Sequence, residues 1–105
     1  MSASKRIMID GVEILFGSRE VYCCNQLVAL TGLEFNLLWL LMNDFPKMVS
    51  RESIAKHIFN RSLDDANRSI NMHISTIRKK LLVNTESSRI KSFRGEGYVF
   101  LNHCV

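Results

Sequence analysis

Basic side chains are concentrated in one stretch of this 105-residue sequence, and they are the first candidates for chemistry. Residues 68 to 94 contain seven lysines and arginines but a single acidic residue, Glu86. The first 46 residues, in contrast, carry three basic and five acidic side chains. A concentrated positive field favours a polyanionic partner such as nucleic acid. A solvated charged surface is the alternative that charge alone leaves open.

An apolar stripe predicts a helix within this basic stretch. Ile70, Ile74, Ile77 and Leu81 recur at helical spacing and define its buried side. The opposite side has no acidic member and presents hydroxyls, a thioether and cations, which suit base edges and phosphates. This outward set consists of Arg68, Ser69, Met72, Ser75, Thr76 and Lys79. Cations in the last turn favour the negative helix end as well as a phosphate.

A glycine-rich turn near the end of the chain carries the next candidate, Arg94. Gly95 and Gly97 permit a tight turn with positive φ, so we expect Arg94 at a narrow tip. An arginine there can enter a minor groove, where A·T-rich tracts concentrate negative potential. An ordinary turn with a solvated arginine is the alternative. Tyr98 is either a core aromatic residue or a hydroxyl that reaches a phosphate.

Enzyme and metal-site patterns are missing from the sequence. We find no paired carboxylates in a motif, no nucleophile–base arrangement and no phosphate-cradling loop. The cysteines, Cys23, Cys24 and Cys104, lack metal-ligand spacing and are expected to be reduced. A redox-sensing vicinal pair is the alternative for the first two. We therefore expect no cofactor, no metal and no enzymatic activity.

Local patterns predict the elements that position these residues. Turn residues separate four apolar or β-branched runs, which indicates an N-terminal antiparallel sheet. Thr31 and Glu34 fit a capping box that begins an apolar helix, and Pro46 ends this helix after about Asp44. Ser50 is a candidate N-cap for a second helix, and Asp64 or Asp65 for a third. The predicted elements are strands Arg6–Ile9, Val12–Phe16, Glu20–Cys24 and Gln26–Leu30, helices ending near Asp44, over Arg51–Asn60 and over Ala66–Leu82, a polar loop over residues 84–88, and hairpin strands Arg89–Phe93 and Tyr98–Leu101.

Length and composition favour one domain over residues 1–105, and the order of the predicted elements makes it an α+β domain. The longest apolar run, Leu37–Met42, is far below the ~18 residues that a membrane span needs. The N-terminus lacks the apolar segment of a signal peptide. We therefore expect a cytoplasmic domain without membrane contact.

Four motifs, in order, resemble those of a known family of DNA-binding domains. The resemblance covers about residues 6 to 102, which is the expected core of the domain. The run Leu30–Leu38 is similar to the L-T-x-x-E-F-x-L-L signature of the OmpR/PhoB family, and Val49–Glu52, Arg68–Leu81 and Arg94–Tyr98 resemble its later motifs. These are the winged-helix effector domains of bacterial two-component response regulators. Asn71–Ser75 looks most like the Cpx envelope-stress type, as does Phe59–Leu63.

The resemblance implies a fold and a mode of binding. The fold would be a four-stranded N-terminal sheet, three helices and a C-terminal hairpin wing. The third helix, about residues 66–82, would occupy the major groove of DNA, and the wing arginine, Arg94, the minor groove. Phosphate contacts would fall to Arg68, Ser75, Arg78 and Tyr98, and base-facing positions to Ser69, Met72 and Thr76. His73 matches either a phosphate donor or a half-buried structural histidine.

Three departures from the family pattern modify these expectations. Pro46 stands where relatives often have a glycine that ends the first helix with positive φ, which proline cannot adopt. Asn71 replaces the usual aspartate, which removes a negative charge near the DNA. Thr76 stands where several relatives carry arginine, so direct readout of guanine is poorer and an A·T-leaning site is expected.

The resemblance also implies partners. We expect a dimer on tandem DNA sites, with the loop Asn60–Leu63 (Asn60, Arg61, Ser62, Leu63) offered to RNA polymerase. The receiver domain that precedes such effectors has no counterpart in this sequence. We expect a C-terminal fragment, and the alternatives are a stand-alone effector or the DNA-binding head of a membrane-anchored regulator related to ToxR. A degenerate winged helix that binds another protein is the competing function.

Overall fold

The computed structural model describes residues 6–81 and 89–102, and it shows the predicted α+β order of an antiparallel sheet, three helices and a hairpin. The polar loop predicted over residues 84–88 lies outside the described residues. In chain order the elements are β1 (Arg6–Ile9), β2 (Val12–Leu15), β3 (Glu20–Cys23), β4 (Gln26–Val28), α1 (Gly32–Asp44), β5 (Val49–Ser50), α2 (Arg51–Ile54) with a π-helical turn (Ala55–Phe59), α3 (Leu63–Lys80), β6 (Ile90–Phe93) and β7 (Gly97–Phe100).

The four N-terminal strands form one antiparallel sheet in the order β1-β2-β3-β4. Ile7, Ile14, Val21 and Val28 are paired across it in one row and pack against the core. Alternate residues of a strand face opposite sides, so this row places apolar side chains of every strand on one face. The prediction of this sheet is confirmed, although β2, β3 and β4 end one or two residues earlier than the sequence suggested.

A buried arginine joins this sheet to the rest of the domain. Arg89 is only 7% exposed, and its Nε lies 3.3 Å from a carboxylate oxygen of Asp10 and donates to the Asp10 carbonyl at 2.9 Å. Its Nη1 donates to the carbonyl of Leu81, at the end of α3, at 2.5 Å. Arg89 therefore stabilises the interior of the domain and is not part of its basic surface, although it lies within the basic stretch of the sequence.

The capping box predicted at the start of α1 is present. Thr31 Oγ1 accepts the Glu34 N–H at 3.2 Å, and a Glu34 carboxylate oxygen accepts the Thr31 N–H at 3.0 Å. At its other end, α1 gives way to extended backbone at Phe45 (φ −48°, ψ 135°). This ending suits the residue before Pro46, because proline disfavours the helical conformation there.

Glu34 also links α1 to α3. Its carboxylate is 8% exposed and lies 2.7 Å from the Nζ of Lys80. Burial by itself raises the pKa of Glu34, but the hydrogen bonds from Lys80 and from the Thr31 N–H, with the charge of Lys80, outweigh it and bring the pKa below its ordinary value. The charged carboxylate is therefore favoured in the folded domain.

Acid is expected to remove this stabilisation. A carboxyl whose folded-state pKa is depressed contributes its full stabilisation above the unfolded pKa, about 4.3, and loses it as the pH falls through the folded pKa. Glu34→Gln keeps an acceptor for the Thr31 N–H but cannot ionise. In urea unfolding from pH 7 to pH 3, the wild type should be the more stable protein at neutral pH, and the difference should narrow below about pH 4. A difference that is constant with pH would contradict this assignment.

The second helix changes its hydrogen bonding part-way. Ser50 caps α2, as predicted, by accepting the Ser53 N–H at 3.0 Å. The predicted helix then continues as the π-helical turn and ends at Asn60, which adopts the left-handed conformation at φ 55°. The Ala55 carbonyl accepts the N–H groups of both Asn60 and Arg61. This arrangement fixes the backbone that leads into α3.

The predicted cap of α3 was wrong. Ser62, rather than Asp64 or Asp65, is the N-cap, and its Oγ accepts the Asp65 N–H at 3.4 Å. Both aspartates lie in the first turn, where a negative charge is favourable near the helix N-terminus. The helix therefore begins at Leu63, three residues before the predicted start, and it ends at Lys80 with Leu81 as its C-cap.

The C-terminal hairpin belongs to a second sheet with the order β5-β7-β6. Strand β5 was not predicted, because a two-residue strand has no sequence signature. Gly95 has φ +75°, as the predicted tight turn requires, but Gly97 has another role. A Cβ at Gly97 would clash with the Val49 carbonyl oxygen and lie 2.9 Å from Ser50 Cα. Gly97 is thus required for the close approach of β7 to β5.

Candidate nucleic-acid interface

Helix α3 presents two opposite sides, as its sequence predicts. Ile70, Ile74, Ile77 and Leu81 are at most 1% exposed. On the other side Arg68, Met72, Ser75 and Lys79 are exposed, while Ser69, His73, Thr76 and Arg78 are partly exposed. Met72 is 61% exposed, which is a large exposed fraction for an apolar side chain. The interior packing of α3 therefore turns these polar and basic side chains outward, and the acidic residues of α3, Asp64 and Asp65, are confined to its first turn.

Two of the outward side chains form hydrogen bonds with backbone carbonyls of α3 itself. His73 Nδ1 lies 2.7 Å from the Ser69 carbonyl oxygen, and its ring meets the Phe59 ring edge-on at a centroid distance of 5.2 Å. Thr76 Oγ1 donates to the Met72 carbonyl at 3.0 Å. His73 therefore has the half-buried position expected of a structural histidine, the second of its two predicted roles. Because Nδ1 is engaged, a phosphate contact, the first predicted role, would use Nε2.

Arg78 and Tyr98 join α3 to the hairpin. Arg78 donates from Nε and Nη2 to the Ile90 carbonyl, at 3.1 and 2.9 Å, and from Nη2 to Ser92 Oγ at 2.6 Å. Its guanidinium carbon lies 5.9 Å from the centroid of the Tyr98 ring. Tyr98 is 5% exposed, so its ring is a core residue. Both residues thus have a positioning role in addition to the DNA contacts predicted for them.

Arg94 lies at the tip of the hairpin, next to the tight turn at Gly95. Its side chain is exposed, and it has no hydrogen-bond or ion-pair partner among residues 6–81 and 89–102. Exposed Arg68 and Lys79 of α3 are likewise without partners in the described part of the chain. These three cations keep their donors available for an external anion.

A cleft separates α3 from the hairpin, and we call it the wing–helix cleft. Arg51, the first residue of α2, lines the cleft and hydrogen-bonds both to α3 and to the hairpin. This residue was not predicted from the sequence, because its spacing to α3 and to the hairpin is set only by the tertiary fold. The cleft has a volume of about 440 Å³ and is lined by Arg51, Asn67, Asn71, Ser92, Phe93, Arg94, Gly95 and Tyr98.

The segment predicted to meet RNA polymerase is exposed in its first three residues, Asn60, Arg61 and Ser62. Leu63 differs, because it begins α3 and packs against the core. The left-handed Asn60 turns the chain between the π-helical turn and α3, so this segment is a tight connection between two helices. The exposed surface that it offers is therefore formed by the first three residues alone.

Comparison with known proteins identifies the family. A family model described as "Transcriptional regulatory protein, C terminal" matches residues 25–100, from the end of the N-terminal sheet through the hairpin. The chain belongs to this family. Among curated relatives, the transcriptional regulatory protein CpxR of Klebsiella pneumoniae subsp. pneumoniae (strain HS11286) is 32% identical over 102 residues, which are 96% of this chain and 44% of the relative. The chain thus spans less than half the length of this curated relative.

Solved structures of the same family share the fold. The DNA-binding domain of Klebsiella pneumoniae RstA, crystallised in complex with the RstA box, is 33% identical with a TM-score of 0.83, covering 94% of this chain and 99% of that one. The DNA-binding domain of CpxR from E. coli is 32% identical with a TM-score of 0.84, covering 94% and 98%. The winged-helix fold, the OmpR/PhoB type and the likeness to the Cpx effector are therefore confirmed.

Family membership also confirms that the domain is a transcription-factor module and not an enzyme. Within residues 6–81 and 89–102, no group of three or more histidine, cysteine, aspartate or glutamate side chains is placed to hold a metal ion. No helix in the same residues has the length and apolarity to cross a membrane.

Proposed function

We propose that this domain binds duplex DNA in a sequence-specific manner and serves as the effector part of a two-component transcriptional regulator. In this proposal, α3 enters the major groove and the hairpin, as the wing, places Arg94 in the adjacent minor groove. The single observation that carries it is the outward side of α3 from Arg68 to Lys79, which has no acidic residue and lies beside an exposed Arg94 without a partner in the described residues. The complex of the RstA relative with its DNA box supports the same assignment.

The roles of individual residues follow from their positions. Cations and hydrogen-bonding side chains on the outward side of α3, with Tyr98 beside it, are assigned to phosphates, because phosphate contacts fix register without reading sequence. Three uncharged side chains of the same side are assigned to base edges. The phosphate group comprises Arg68, His73, Ser75, Arg78, Lys79 and Tyr98, the base group Ser69, Met72 and Thr76, and the minor-groove contact is Arg94.

Assembly and setting are part of the proposal. Effector domains of this type would bind tandem DNA sites as a dimer, with the exposed residues Asn60 to Ser62 facing RNA polymerase. The CpxR relative is more than twice as long as this chain, so a receiver domain would act outside it. The regulator would work in the bacterial cytoplasm, where DNA and polymerase are available.

Selection of duplexes from a random pool tests the proposal. After several rounds, we expect an enriched A·T-rich motif that occurs in tandem, because Thr76 lacks the bidentate guanine contact of arginine. A pool without an enriched motif would contradict sequence-specific binding. The same selection with the domain fused to a dimer-forming partner separates weak monomeric binding from an absence of specificity, since only weak binding is rescued by dimerisation.

Arg94→Ala should weaken binding mainly where the minor groove is narrow. We expect about a tenfold loss on a duplex with A·T-rich flanks, which is the size of one charge-assisted hydrogen bond, and a smaller loss with G·C-rich flanks. Lys91→Ala is the matched control, because Lys91 is an exposed cation of the same hairpin that lies over the Phe93 ring. Fluorescence anisotropy on the two duplexes measures both variants. Equal losses on both duplexes for Arg94→Ala would contradict the minor-groove role.

A further inference from the structure

Arg51 is a half-buried arginine that donates only to neutral acceptors. Its Nε and Nη2 donate to Asn67 Oδ1 at 3.1 and 2.6 Å, and Nη2 also reaches Asn71 Oδ1 at 3.0 Å. Nη1 donates to the Tyr98 hydroxyl at 2.6 Å, and that hydroxyl donates to Asn71 Oδ1 at 3.2 Å. Two amides and a phenol thus fix the guanidinium in place without cancelling its charge.

The rest of the wing–helix cleft adds positive charge and no negative charge. Arg94 is the second charged residue of the lining, and the other lining side chains are neutral. No ion pair of Arg51 is present among the described residues. Elsewhere in the domain the structure pairs a buried cation with a carboxylate, as it does at Arg89 and Asp10. An uncompensated guanidinium in a cleft is favourable mainly when an external anion can approach it.

The cleft lies where the two proposed groove contacts meet. Asn67 and Asn71 belong to α3, while Ser92 and Arg94 belong to the hairpin. Adjacent major and minor grooves are separated by one sugar–phosphate backbone. With α3 in one groove and the hairpin in the next, that backbone must cross the opening of the cleft.

We propose that the wing–helix cleft receives a backbone phosphate of the bound duplex, with Arg51 as its principal counter-charge and Asn71 as the residue that keeps Arg51 uncompensated. This inference rests on the proposed function and adds to it Arg51 of α2, which supplies the charge for a phosphate held beside the Tyr98 hydroxyl. Arg51 Nη2 now donates to Asn71 Oδ1. A carboxylate at position 71 would form an ion pair with this Nη2 and would compete with the phosphate for the charge of Arg51.

Asn71→Asp tests the proposal, with Asn36→Asp as the matched control. Asn36 Oδ1 accepts from Arg19 Nη2 at 2.9 Å, so the control adds the same charge next to another arginine, in α1. Loss of one phosphate contact reduces the log–log salt slope by about 0.9, so that the gain in affinity from 1 M to 0.1 M salt is about eightfold smaller. We expect Asn71→Asp to show both changes equally on all duplexes, and Asn36→Asp to keep the wild-type slope.

Further measurements keep the two proposals separate. Urea unfolding should show Asn71→Asp to be at least as stable as the wild type, because the new carboxylate gains a charged partner, so weaker binding would not come from unfolding. Arg51→Lys retains the charge and should keep a slope close to that of the wild type, whereas Arg51→Met should reduce the slope by about 0.9. Identical slopes for Asn71→Asp and Asn36→Asp would overturn the phosphate site while leaving the proposed function intact. A wild-type domain whose binding does not depend on salt would overturn both.

Discussion

Replacing Arg89 with methionine is expected to lower the free energy of unfolding by about 3–5 kcal/mol. The substitution leaves the Asp10 carboxylate, which is 9% exposed, without the guanidinium 3.3 Å away. It also removes the donors to the Asp10 and Leu81 carbonyls. Domains of this kind are stable by only about 5–15 kcal/mol, so the variant is expected to unfold at much lower urea concentration.

Two further variants identify the cause of this loss. Arg6→Met removes an exposed arginine that pairs with Glu13, and exposed pairs contribute about 1 kcal/mol or less. Adding Asp10→Asn to Arg89→Met removes the stranded charge and should restore part of the stability. Asparagine also tolerates the positive φ of 53° at position 10. An Arg89→Met variant as stable as Arg6→Met would show that the buried pair has no structural role.

Replacing Gly97 with alanine is expected to disrupt the pairing of β7 with β5 beside the hairpin turn. The new Cβ would meet backbone atoms of Val49 and Ser50, which cannot move aside as a side chain does. Insertion of one methyl group into a packed site costs about 1–3 kcal/mol, and the backbone contact places this variant at or above the upper end. Tyr98 follows directly, so its hydrogen bonds with Arg51 and Asn71 should weaken as well.

Gly95→Ala is the control for this prediction. Gly95 has positive φ, but no atom lies within 4 Å of the position that a Cβ would occupy, so its substitution tests conformation without a clash. We expect a loss of about 1–2 kcal/mol for alanine in the left-handed region. Gly95→Asn should lose less, because asparagine adopts this region more readily. Urea unfolding gives the free energy of unfolding of each variant. A smaller decrease for Gly97→Ala than for Gly95→Ala would contradict the close approach of β7 to β5 at Gly97.

Local patterns predicted much of the fold. The N-terminal strands, the capping box of Thr31 and Glu34 and the apolar stripe of α3 depend on residues that are near one another in sequence, where periodicity and capping rules apply. The α3 cap was misplaced because Ser62, Asp64 and Asp65 are all good N-cap residues. The sequence alone could not choose between them, since the choice depends on where the Asn60 turn ends.

Long-range contacts determine the rest, and the sequence has no local signal for them. Arg89 is joined to Asp10 across 79 positions, and Arg51 is joined to Tyr98 across 47. The first contact removes a cation from the predicted basic surface, and the second adds one to it. The outward side of α3 was predictable from helical geometry, whereas the wing–helix cleft required the hairpin to be placed beside α3.

The salt dependence of DNA binding shows whether the basic side of α3 holds the phosphate backbone. Anisotropy titrations of the domain on its selected duplex, from 50 to 200 mM salt, give the number of phosphate contacts. Contacts from Arg68, Arg78 and Lys79 alone predict a log–log slope of about −3, which is a loss of about fortyfold over this range. Arg51 would steepen it by a further ~0.9. A slope near zero would contradict the account, because the basic side of α3 would then have no part in binding.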